Sequence, residues 1–569
     1  MKKMKKIIAL ALAMVMVLAM SIPAMAEVAA KTIKVNGLEE GDNVKYYKVV
    51  EWKADGSGWA FVAPFAGLLT EAQQKEIIGY VENNAVVEGK ITDTTAAIMG
   101  TANATAIKAD GDTLGAGETS WTATDVAPGL YMALITAAAP DAEDGETMHV
   151  YNPVFLAVQA DNAGSELTLP LNYADEGTAK KTDVTVDKKA KDAGGNWVDA
   201  TSENVGDVID FKVETTVPAY LESWTNPVFT VTDTLTSGLT LAVKEGTGDA
   251  ALSDVTVTGA TSGELTEGTQ YTITKSTSGY TITFADSYLK GRTAAEVVTI
   301  TYQAKITSEA ATVNPETNTV KIEYSRNPKD ASDHGTKEDK TTHYTFSIDA
   351  ELFGDQNYES SEIIKVGVDE AGNIIETTET TYDNGEKHMP LEGAEFKLYK
   401  ADGTTPYTND LYTAETIFVS NAEGKLMVKD GTKVGIHGLE EGTYVLKETT
   451  PPTGYKLMTS SVTFVITAEY ETVPATETCN AYQQLKSYTV TVDGTEVSSY
   501  EMDNGAATKV IKKDNEGHAG DVTHEIKNVK GTSLPSTGGI GTTMFYVIGS
   551  VLVLGAAVLL ISKRRMNVR

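Results

Sequence analysis

The chain contains 569 residues, in which 79 Asp and Glu outnumber 47 Lys and Arg to give a net charge of −32. This length exceeds what one hydrophobic core accommodates and favours about three domains of ordinary size, and the strong negative charge argues against a nucleic-acid partner. The sequence has one cysteine, Cys479, so no disulfide can form within the chain, and we assign that thiol no role.

The N-terminus carries the three parts of a secretory signal peptide. A lysine-rich start precedes an apolar run over residues 7–20 and then the small-residue triplet Ala24, Met25 and Ala26. The apolar run is shorter than the ~20 residues that a membrane-spanning helix requires, which argues against an uncleaved anchor. We therefore predict a signal peptide over residues 1–26 and a secreted mature chain that begins near Glu27.

Between residues 30 and 530, apolar and polar side chains alternate in the manner of half-buried β-strands. Examples are residues 271–274, 280–284, 297–302 and 462–467, and Asp-Gly or Asn-Gly turn signals recur between such runs. Only residues 70–81 form a short helical pattern. Many short strands with frequent turns predict an all-β fold of three tandem immunoglobulin-like sandwiches.

Two hydrophilic segments, residues 175–181 and residues 327–340, precede the predicted domain boundaries near residues 181 and 347. They divide the chain into an N-terminal domain over residues 27–181, a middle domain over residues 182–347 and a C-terminal domain over residues 348–532.

The first predicted strand of the middle domain directs Lys188 to the same inward face as two valines. With the strand that carries Asp233 and the later one that carries Asn318, this pattern resembles the collagen-adhesin A-type domain of Gram-positive pilins. In that family an aspartate promotes an isopeptide bond between a lysine and an asparagine. The resemblance implies that Asp233 is catalytic and that Lys188 and Asn318 are joined. Lys189 is the competing lysine, although alternation directs it outward.

In the C-terminal domain, alternation places Glu448 on the inward face beside Tyr444 and Leu446. A lone buried carboxylate is costly and needs a partner. The segment resembles the glutamate box of collagen-adhesin B-type domains. The resemblance implies that Glu448 promotes an isopeptide bond between Lys365, on the first strand, and Asn528, on the last strand.

Burial supplies the chemistry of such a bond. Removal from water lowers the pKa of a lysine toward the neutral, nucleophilic amine and raises the pKa of a carboxyl group toward its protonated form. Glu448 would then polarise the Asn528 side-chain carbonyl, Lys365 would attack it, and ammonia would leave. The alternative is an unreacted buried salt bridge between Lys365 and Glu448.

The first domain lacks the corresponding acid. Its segment over residues 126–135 resembles the segment around Glu448 but carries Ile135 where the glutamate would fall. No proton shuttle is visible, so we predict no isopeptide bond of this type in the first domain.

Residues 534–569 combine a Leu-Pro-x-Thr-Gly motif, an apolar stretch over residues 544–561 that predicts a transmembrane helix, and a basic tail. The motif consists of Leu534, Pro535, Ser536, Thr537 and Gly538. Together these parts resemble the sortase cell-wall sorting signal, in which a membrane-bound transpeptidase cleaves after Thr537 and holds it as an acyl-enzyme until an amine resolves it. The resemblance implies a wall-anchored protein whose partners are sortase and peptidoglycan.

The order of signal peptide, three domains and sorting signal resembles a sortase-assembled pilus backbone subunit of Gram-positive bacteria. The resemblance implies a covalent polymer of identical subunits on the cell surface, which mediates surface attachment and has accessory pilins and host surface ligands as further partners. In that family a lysine near the end of the first domain attacks Thr537 of the next subunit. The Tyr-Pro-Lys-Asn motif that commonly carries this lysine is absent. We predict Lys181 as the acceptor and Lys180 as its alternative, while both also fit as solvated linker charges.

Two other classes of function fit parts of the sequence. A monomeric wall-anchored adhesin or accessory pilin would share both ends and the isopeptide domains but would need no acceptor lysine. An enzyme is disfavoured, because the seven histidines are scattered and neither a Gly-x-Ser-x-Gly nor a His-Glu-x-x-His motif occurs. We accordingly expect no cofactor and no metal.

Overall fold

The computed structural model describes residues 31–566, except for residues 101, 139–147, 161–168, 223, 225, 242–253, 311–314, 328–329, 349–362, 376–388, 432–434, 504–505, 512–523 and 532–539. The predicted signal peptide and the Leu-Pro-x-Thr-Gly motif at residues 534–538 lie outside the described residues. Strands dominate the described part, and helices are few and mostly short, which confirms the predicted all-β class.

The N-terminal region folds around two small sheets, with strand orders β11–β1–β7 and β10–β8–β2–β3 in the numbering that follows. Its strands are β1 (Ile33–Asn36), β2 (Asn43–Trp52), β3 (Trp59–Phe61), β4 (Gly79–Glu82), β5 (Ala85–Glu88), β6 (Asp112–Thr113), β7 (Ser120–Ala123), β8 (Gly129–Thr136), β9 (Met148–Tyr151), β10 (Val154–Val158), β11 (Glu176–Thr178) and β12 (Lys181–Val184), and its helices are α1 (Phe65–Leu68), α2 (Glu71–Ile78) and α3 (Asp93–Gly100). Strand β8 is buried over nearly its whole length because hydrophobic clusters cover both of its faces, which explains its apolar run without alternation.

Helix α2 confirms most of the helix predicted over residues 70–81. Thr70 begins it with a capping box, in which its side chain accepts a hydrogen bond from the backbone of Gln73 and the Gln73 side chain accepts one from the backbone of Thr70. The helix ends at Gly79, whose φ of +87° favours glycine. The last residues of the predicted helix belong instead to β4.

The middle region is a β-sandwich of two sheets, with orders β14–β13–β16–β23–β19–β20 and β15–β25–β24–β17–β22–β21. Its strands are β13 (Val186–Lys191), β14 (Trp197–Val198), β15 (Ala200–Ser202), β16 (Val208–Val217), β17 (Phe229–Leu235), β18 (Leu239–Leu241), β19 (Thr256–Gly259), β20 (Gly263–Glu264), β21 (Tyr271–Ser276), β22 (Gly279–Phe284), β23 (Glu296–Ile306), β24 (Glu316–Ser325) and β25 (His334–Tyr344), with one short helix, α4 (Asp286–Lys290), and a 3-10 turn at Ser308–Ala310. Along β16 and β23 every second side chain is buried, so the two inner faces enclose one hydrophobic core.

The C-terminal region combines an antiparallel sheet of order β29–β28–β27–β30–β31–β32–β33–β34 with a separate parallel pair, β26 and β35. Its elements are β26 (Ile363–Val368), β27 (Glu395–Lys400), β28 (Phe418–Ser420), β29 (Leu426–Val428), β30 (Gly442–Thr450), β31 (Val462–Val473), β32 (Tyr482–Val492), β33 (Thr495–Asp503), β34 (Ala506–Ile511), β35 (His524–Val529) and helix α5 (Ile540–Met566). The hydrophobic core lies between the long sheet and this pair, since Ile363 and Ile526 belong to the same cluster as Phe396 and Leu446.

Neighbouring regions pack directly against each other. Strand β9 pairs with β12, and its residues Met148 and Val150 join the hydrophobic core of the middle region. At the next junction the backbone N–H of Val205 donates to the carbonyl of Gly438 at 3.0 Å. The boundaries near residues 181 and 347 stay predictions; just before the second of them, Tyr344 and Phe346 belong to the hydrophobic core of the C-terminal region.

The apolar C-terminal stretch, which we predicted to cross a membrane, forms helix α5. No helix in the part of the chain that the structure describes is both long and apolar enough to span a membrane.

Candidate functional site

The structure brings together Lys365, Glu448 and Asn528, the three residues predicted to form the C-terminal isopeptide site. Lys365 lies on β26 and Asn528 on β35, and these strands pair in parallel with Gly367 opposite Asn528. Glu448 approaches them from β30. The exposed fractions of the three residues are 0%, 9% and 1% for Lys365, Glu448 and Asn528, so the cluster is shielded from water.

The Glu448 carboxylate bridges the other two side chains. Its Oε1 lies 3.3 Å from Lys365 Nζ, and its Oε2 accepts a hydrogen bond of 2.9 Å from Asn528 Nδ2. The backbone N–H of Met458 donates to the same Oε2 at 2.7 Å. The amine and the amide therefore share one carboxylate whose position the backbone fixes.

Burial lowers the pKa of Lys365 to about 8, although attraction to Glu448 opposes that shift. Lys365 Nζ lies 5.3 Å from the centroid of the Phe396 ring and 3.0 Å from Met458 Sδ, so its surroundings are largely apolar. Within the described residues, Asn528 Oδ1 is buried without a hydrogen-bond partner. An amine that readily becomes neutral beside an amide carbonyl with no competing partner is suited to nucleophilic attack.

Lys188, Asp233 and Asn318 form a second buried cluster, inside the middle sandwich. Lys188 lies on β13 in one sheet, while Asp233 on β17 and Asn318 on β24 belong to the facing sheet. Their exposed fractions are 0%, 2% and 0% for Lys188, Asp233 and Asn318. Lys188 Nζ and Asp233 Oδ2 form an ion pair across the core. A bond between Lys188 and Asn318 would tie one sheet to the other.

Burial shifts both charged partners of this cluster toward their neutral forms. Loss of water lowers the pKa of Lys188 and raises the pKa of Asp233, although their mutual attraction opposes both shifts. Both shifts favour the neutral amine and the protonated acid that amide exchange requires.

Tyr302 is a member of this cluster that the sequence analysis missed. Its hydroxyl donates to Asp233 Oδ2 at 2.8 Å and accepts from Asn318 Nδ2 at 2.8 Å, and it also contacts Lys188 Nζ. Strand alternation already directed Tyr302 inward beside Val298 and Ile300, so a polar hydroxyl on a core-facing position was a readable signal.

The competing lysine, Lys189, lies outside the cluster. Its ammonium pairs with Asp199 and lies 3.3 Å from Asp187 Oδ1 on the outer side of the strand. The inward position belongs to Lys188, whose backbone N–H donates to Asp339 Oδ2 at 2.7 Å. Burial raises the pKa of that Asp339 carboxyl to about 6.

The first region places Ile135, with 2% of its surface exposed, at the position where a catalytic glutamate was sought. Lysine, asparagine and glutamate do meet elsewhere in this region: Glu176 Oε1 lies 3.3 Å from Lys34 Nζ and 2.5 Å from Asn36 Nδ2. This trio is exposed, and hydrogen bonds from Asn36 and Lys34 lower the pKa of Glu176. A charged, hydrated carboxylate cannot act as the acid, so the trio lacks the condition that the buried clusters meet.

The two candidate acceptor lysines differ in their surroundings. The Lys181 ammonium pairs with Glu39 and lies 3.3 Å from His149 Nε2, and His149 in turn lies 2.7 Å from Glu39 Oε2 and 2.8 Å from Asp183 Oδ1. Lys180 is exposed, and its ammonium has no ion-pair or hydrogen-bond partner among the residues that the structure describes.

Family models match three parts of the chain. Residues 378–480 match a model described as a prealbumin-like fold domain of the SpaA type, residues 205–328 match the Gram-positive pilin backbone subunit 2, Cna-B-like domain, and residues 526–568 match the LPXTG cell wall anchor motif. The second description names a B-like class for the region that we predicted as A-type, so the A-type assignment stays a prediction.

Individual proteins are also similar to most of the chain. The trypsin-resistant surface T6 protein of Streptococcus pyogenes serotype M6 is 25% identical over 482 residues, which cover 77% of this chain and 79% of that protein. Among solved structures, the T6 backbone pilin of serotype M6 Streptococcus pyogenes matches 89% of this chain and all of its own with a TM-score of 0.51 and 17% identity. The latter likeness bears on the fold alone.

The C-terminal cluster generates a prediction about mass and stability. Asn528→Ala should leave Lys365 without an acceptor, so the measured mass of the full-length variant should fall short of its own sequence mass by one ammonia less than the wild type does. Its free energy of unfolding should fall by about 5 kcal/mol, because the cross-link closes a loop of more than ~100 residues. Intact-mass spectrometry and thermal unfolding measure both effects.

Asn373→Ala, in an exposed turn of the same region, is the matched control: it should show the same shortfall from its own sequence mass as the wild type and the same stability. An equal shortfall for Asn528→Ala and the wild type would contradict a bond at this position.

Without the bond, Lys365 should make stability depend on pH. Burial lowers its folded pKa to about 8 from 10.5, so between these values the unfolded chain holds a proton that the folded chain has released. The free energy of unfolding of Asn528→Ala should therefore rise from about pH 8 toward about pH 10.5. Denaturant titrations across this window measure the slope, and a Lys365→Met, Asn528→Ala double variant should lack it. The same slope in both variants would count against a desolvated Lys365.

Proposed function

We propose that this chain is a secreted, wall-anchored structural shaft subunit of a Gram-positive pilus. It is joined covalently to its neighbours and reinforced by bonds within its own domains. Sortase links Thr537 of one subunit to a lysine of the next, and Lys-Asn isopeptide bonds close the middle and C-terminal domains. The observation that carries the internal part of this proposal is that each of these two domains holds a lysine, a carboxyl group and an asparagine together in a buried cluster.

The intermolecular step begins at the anchor motif. Sortase cleaves after Thr537 and holds its carbonyl as an acyl-enzyme, which a neutral amine then attacks to form an amide. The match of residues 526–568 to the LPXTG anchor model supports Thr537 as the donor. The final subunit is transferred to peptidoglycan by the same chemistry, so sortase, identical subunits and peptidoglycan are the partners. Accessory pilins and host surface ligands complete the set.

Lys181 is the acceptor that the local geometry favours. An attacking lysine must lose its proton, and the Glu39 carboxylate, which pairs with the Lys181 ammonium, can accept it. About a third of the Lys181 side chain remains accessible at 33% exposure, so an acyl-enzyme can reach it. Lys180 is accessible too but has no such neighbours in the described part of the chain.

Within each domain the reaction is an amide exchange. In the C-terminal domain, neutral Lys365 attacks Cγ of Asn528, and Glu448, which contacts both the amine and the leaving nitrogen, carries the proton between them. The Cγ–Nδ2 bond then breaks, and ammonia leaves with a proton that Glu448 transfers from the attacking amine. Asp233 has the corresponding role for Lys188 and Asn318. Each site reacts once, so the chain acts as a structural protein rather than as an enzyme.

These bonds suit a shaft that carries tension. Strands β26 and β35 begin and end the C-terminal domain and lie side by side. A covalent tie between Lys365 and Asn528 therefore carries load from one end of the domain to the other without extending the strands between them. A disulfide within the chain cannot carry this load, because the chain has a single cysteine.

Polymerisation is tested by an anti-subunit immunoblot of wall extracts boiled in detergent, from cells that express the cognate sortase. Lys181→Ala should abolish the high-mass ladder, since it removes the attacking amine, and should leave a monomer-sized band. Lys180→Ala is the matched control and should keep the ladder, while Thr537→Ala should remove it.

A ladder that persists in Lys181→Ala and disappears in Lys180→Ala would move the acceptor to Lys180. A single monomer-sized band from the wild type would refute polymerisation and leave a monomeric wall-anchored adhesin.

A further inference from the structure

We propose that Tyr302 is a catalytic residue in the formation of the middle-domain cross-link. Its hydroxyl passes a proton from Asp233 to the leaving nitrogen of Asn318. This inference rests on the isopeptide bond proposed between Lys188 and Asn318. It adds a tyrosine hydroxyl to the lysine, aspartate and asparagine that the sequence identified.

The Tyr302 hydroxyl stands between the acid and the leaving group. It donates to Asp233 Oδ2 at 2.8 Å and accepts from Asn318 Nδ2 at 2.8 Å. Among the described contacts, Asp233 has no hydrogen bond of its own to Asn318. The connection between the carboxyl group and the amide nitrogen therefore runs through the tyrosine oxygen.

The C-terminal site needs no relay, because there Glu448 Oε2 contacts Asn528 Nδ2 directly, at 2.9 Å. Aspartate is one methylene shorter than glutamate, and in the middle site the phenolic hydroxyl fills the remaining gap. In the described contacts of the C-terminal site no tyrosine hydroxyl touches Lys365, Glu448 or Asn528.

The tyrosine is held firmly in this position. Only 2% of Tyr302 is exposed, and its ring stacks on Phe211 with centroids 5.2 Å apart and planes 10° from parallel. Its strand, β23, pairs with β16 on one side and with β18 and β19 on the other. A hydroxyl fixed in this way needs little reorganisation when the proton moves.

The proton inventory of the reaction balances through this hydroxyl. The Lys188 Nζ–Asn318 Cγ bond forms and the Asn318 Cγ–Nδ2 bond breaks. When Asp233 is protonated and the attack has made Nδ2 a tetrahedral amine, the Tyr302 hydroxyl reverses its two hydrogen bonds, so that it accepts from Asp233 and donates to Nδ2. Asp233 then gives its proton to the Tyr302 oxygen as Tyr302 gives its own to Nδ2, and Asp233 takes one proton from the attacking nitrogen. Ammonia leaves, Asp233 and Tyr302 return to their starting forms, and no oxidant or reductant is required.

The test is the rate of bond formation in the full-length chain made by cell-free synthesis with mild detergent. Samples are quenched over time, and tryptic peptides that contain the Lys188–Asn318 and Lys365–Asn528 links are quantified by mass spectrometry. Tyr302→Phe keeps the ring and its stacking but removes the hydroxyl. It should slow the Lys188–Asn318 bond by about a hundredfold, the usual effect of losing a general acid or base.

Two controls separate catalysis from folding. The Lys365–Asn528 bond in the same molecules should form at the wild-type rate in Tyr302→Phe. Tyr220→Phe removes another buried hydroxyl of the same core, one that donates to the Ser325 carbonyl at 3.1 Å, and should leave both rates unchanged. A merely structural role for Tyr302 would not produce a loss confined to one bond in a chain that is otherwise folded.

The possible results are distinct. Selective slowing of the Lys188–Asn318 bond supports the proposal. A wild-type rate for that bond in Tyr302→Phe, or equal slowing in Tyr220→Phe, overturns it. If the wild type itself contains no Lys188–Asn318 link, the proposed cross-link of the middle domain fails and the role of Tyr302 falls with it.

Discussion

Exclusion of water from a lysine, a carboxyl group and an asparagine is the constraint on which both cross-linking sites depend. In water these groups are an ammonium, a carboxylate and an inert amide. Burial shifts the pKa of Lys188 and Lys365 downward and that of Asp233 upward, which favours the neutral amine and the acid. The exposed trio of Lys34, Asn36 and Glu176 has the same composition without the burial, and there hydrogen bonds lower the carboxyl pKa instead.

The two buried sites meet this constraint with different architectures. In the C-terminal domain the lysine and the asparagine occupy neighbouring parallel strands, and a glutamate long enough to touch both lies beside them. In the middle domain the lysine and the asparagine belong to facing sheets, so the polar cluster crosses a hydrophobic core. The shorter aspartate shares that space with Tyr302. The proposed bond of the C-terminal domain would therefore tie adjacent strands, and that of the middle domain would tie the two layers of a sandwich.

The junction between the first two regions carries Lys181, the lysine proposed to form the link between subunits. Strands β9 and β12 pair there, and β9 contributes Met148 and Val150 to the core of the middle region. On the outer side of the same pair, Lys181 meets His149 and Glu39. The proposed acceptor amine, that of Lys181, is thus attached to a packed junction between two cores rather than to a free linker, which would fix its position for an incoming acyl-enzyme.

Local patterns in the sequence determined much of this protein. Alternation along residues 297–302 and 462–467 predicted strands that the structure contains, the helical pattern over residues 70–81 predicted most of α2, and short motifs identified Lys365, Glu448 and Asn528 as a set. Alternation predicts the face of the strand on which a side chain lies, but it does not predict which other strand or sheet that face will pack against. For that reason the hydroxyl of Tyr302 among Lys188, Asp233 and Asn318, and the partners of Lys181, were decided only by tertiary packing, which brings together residues more than a hundred positions apart.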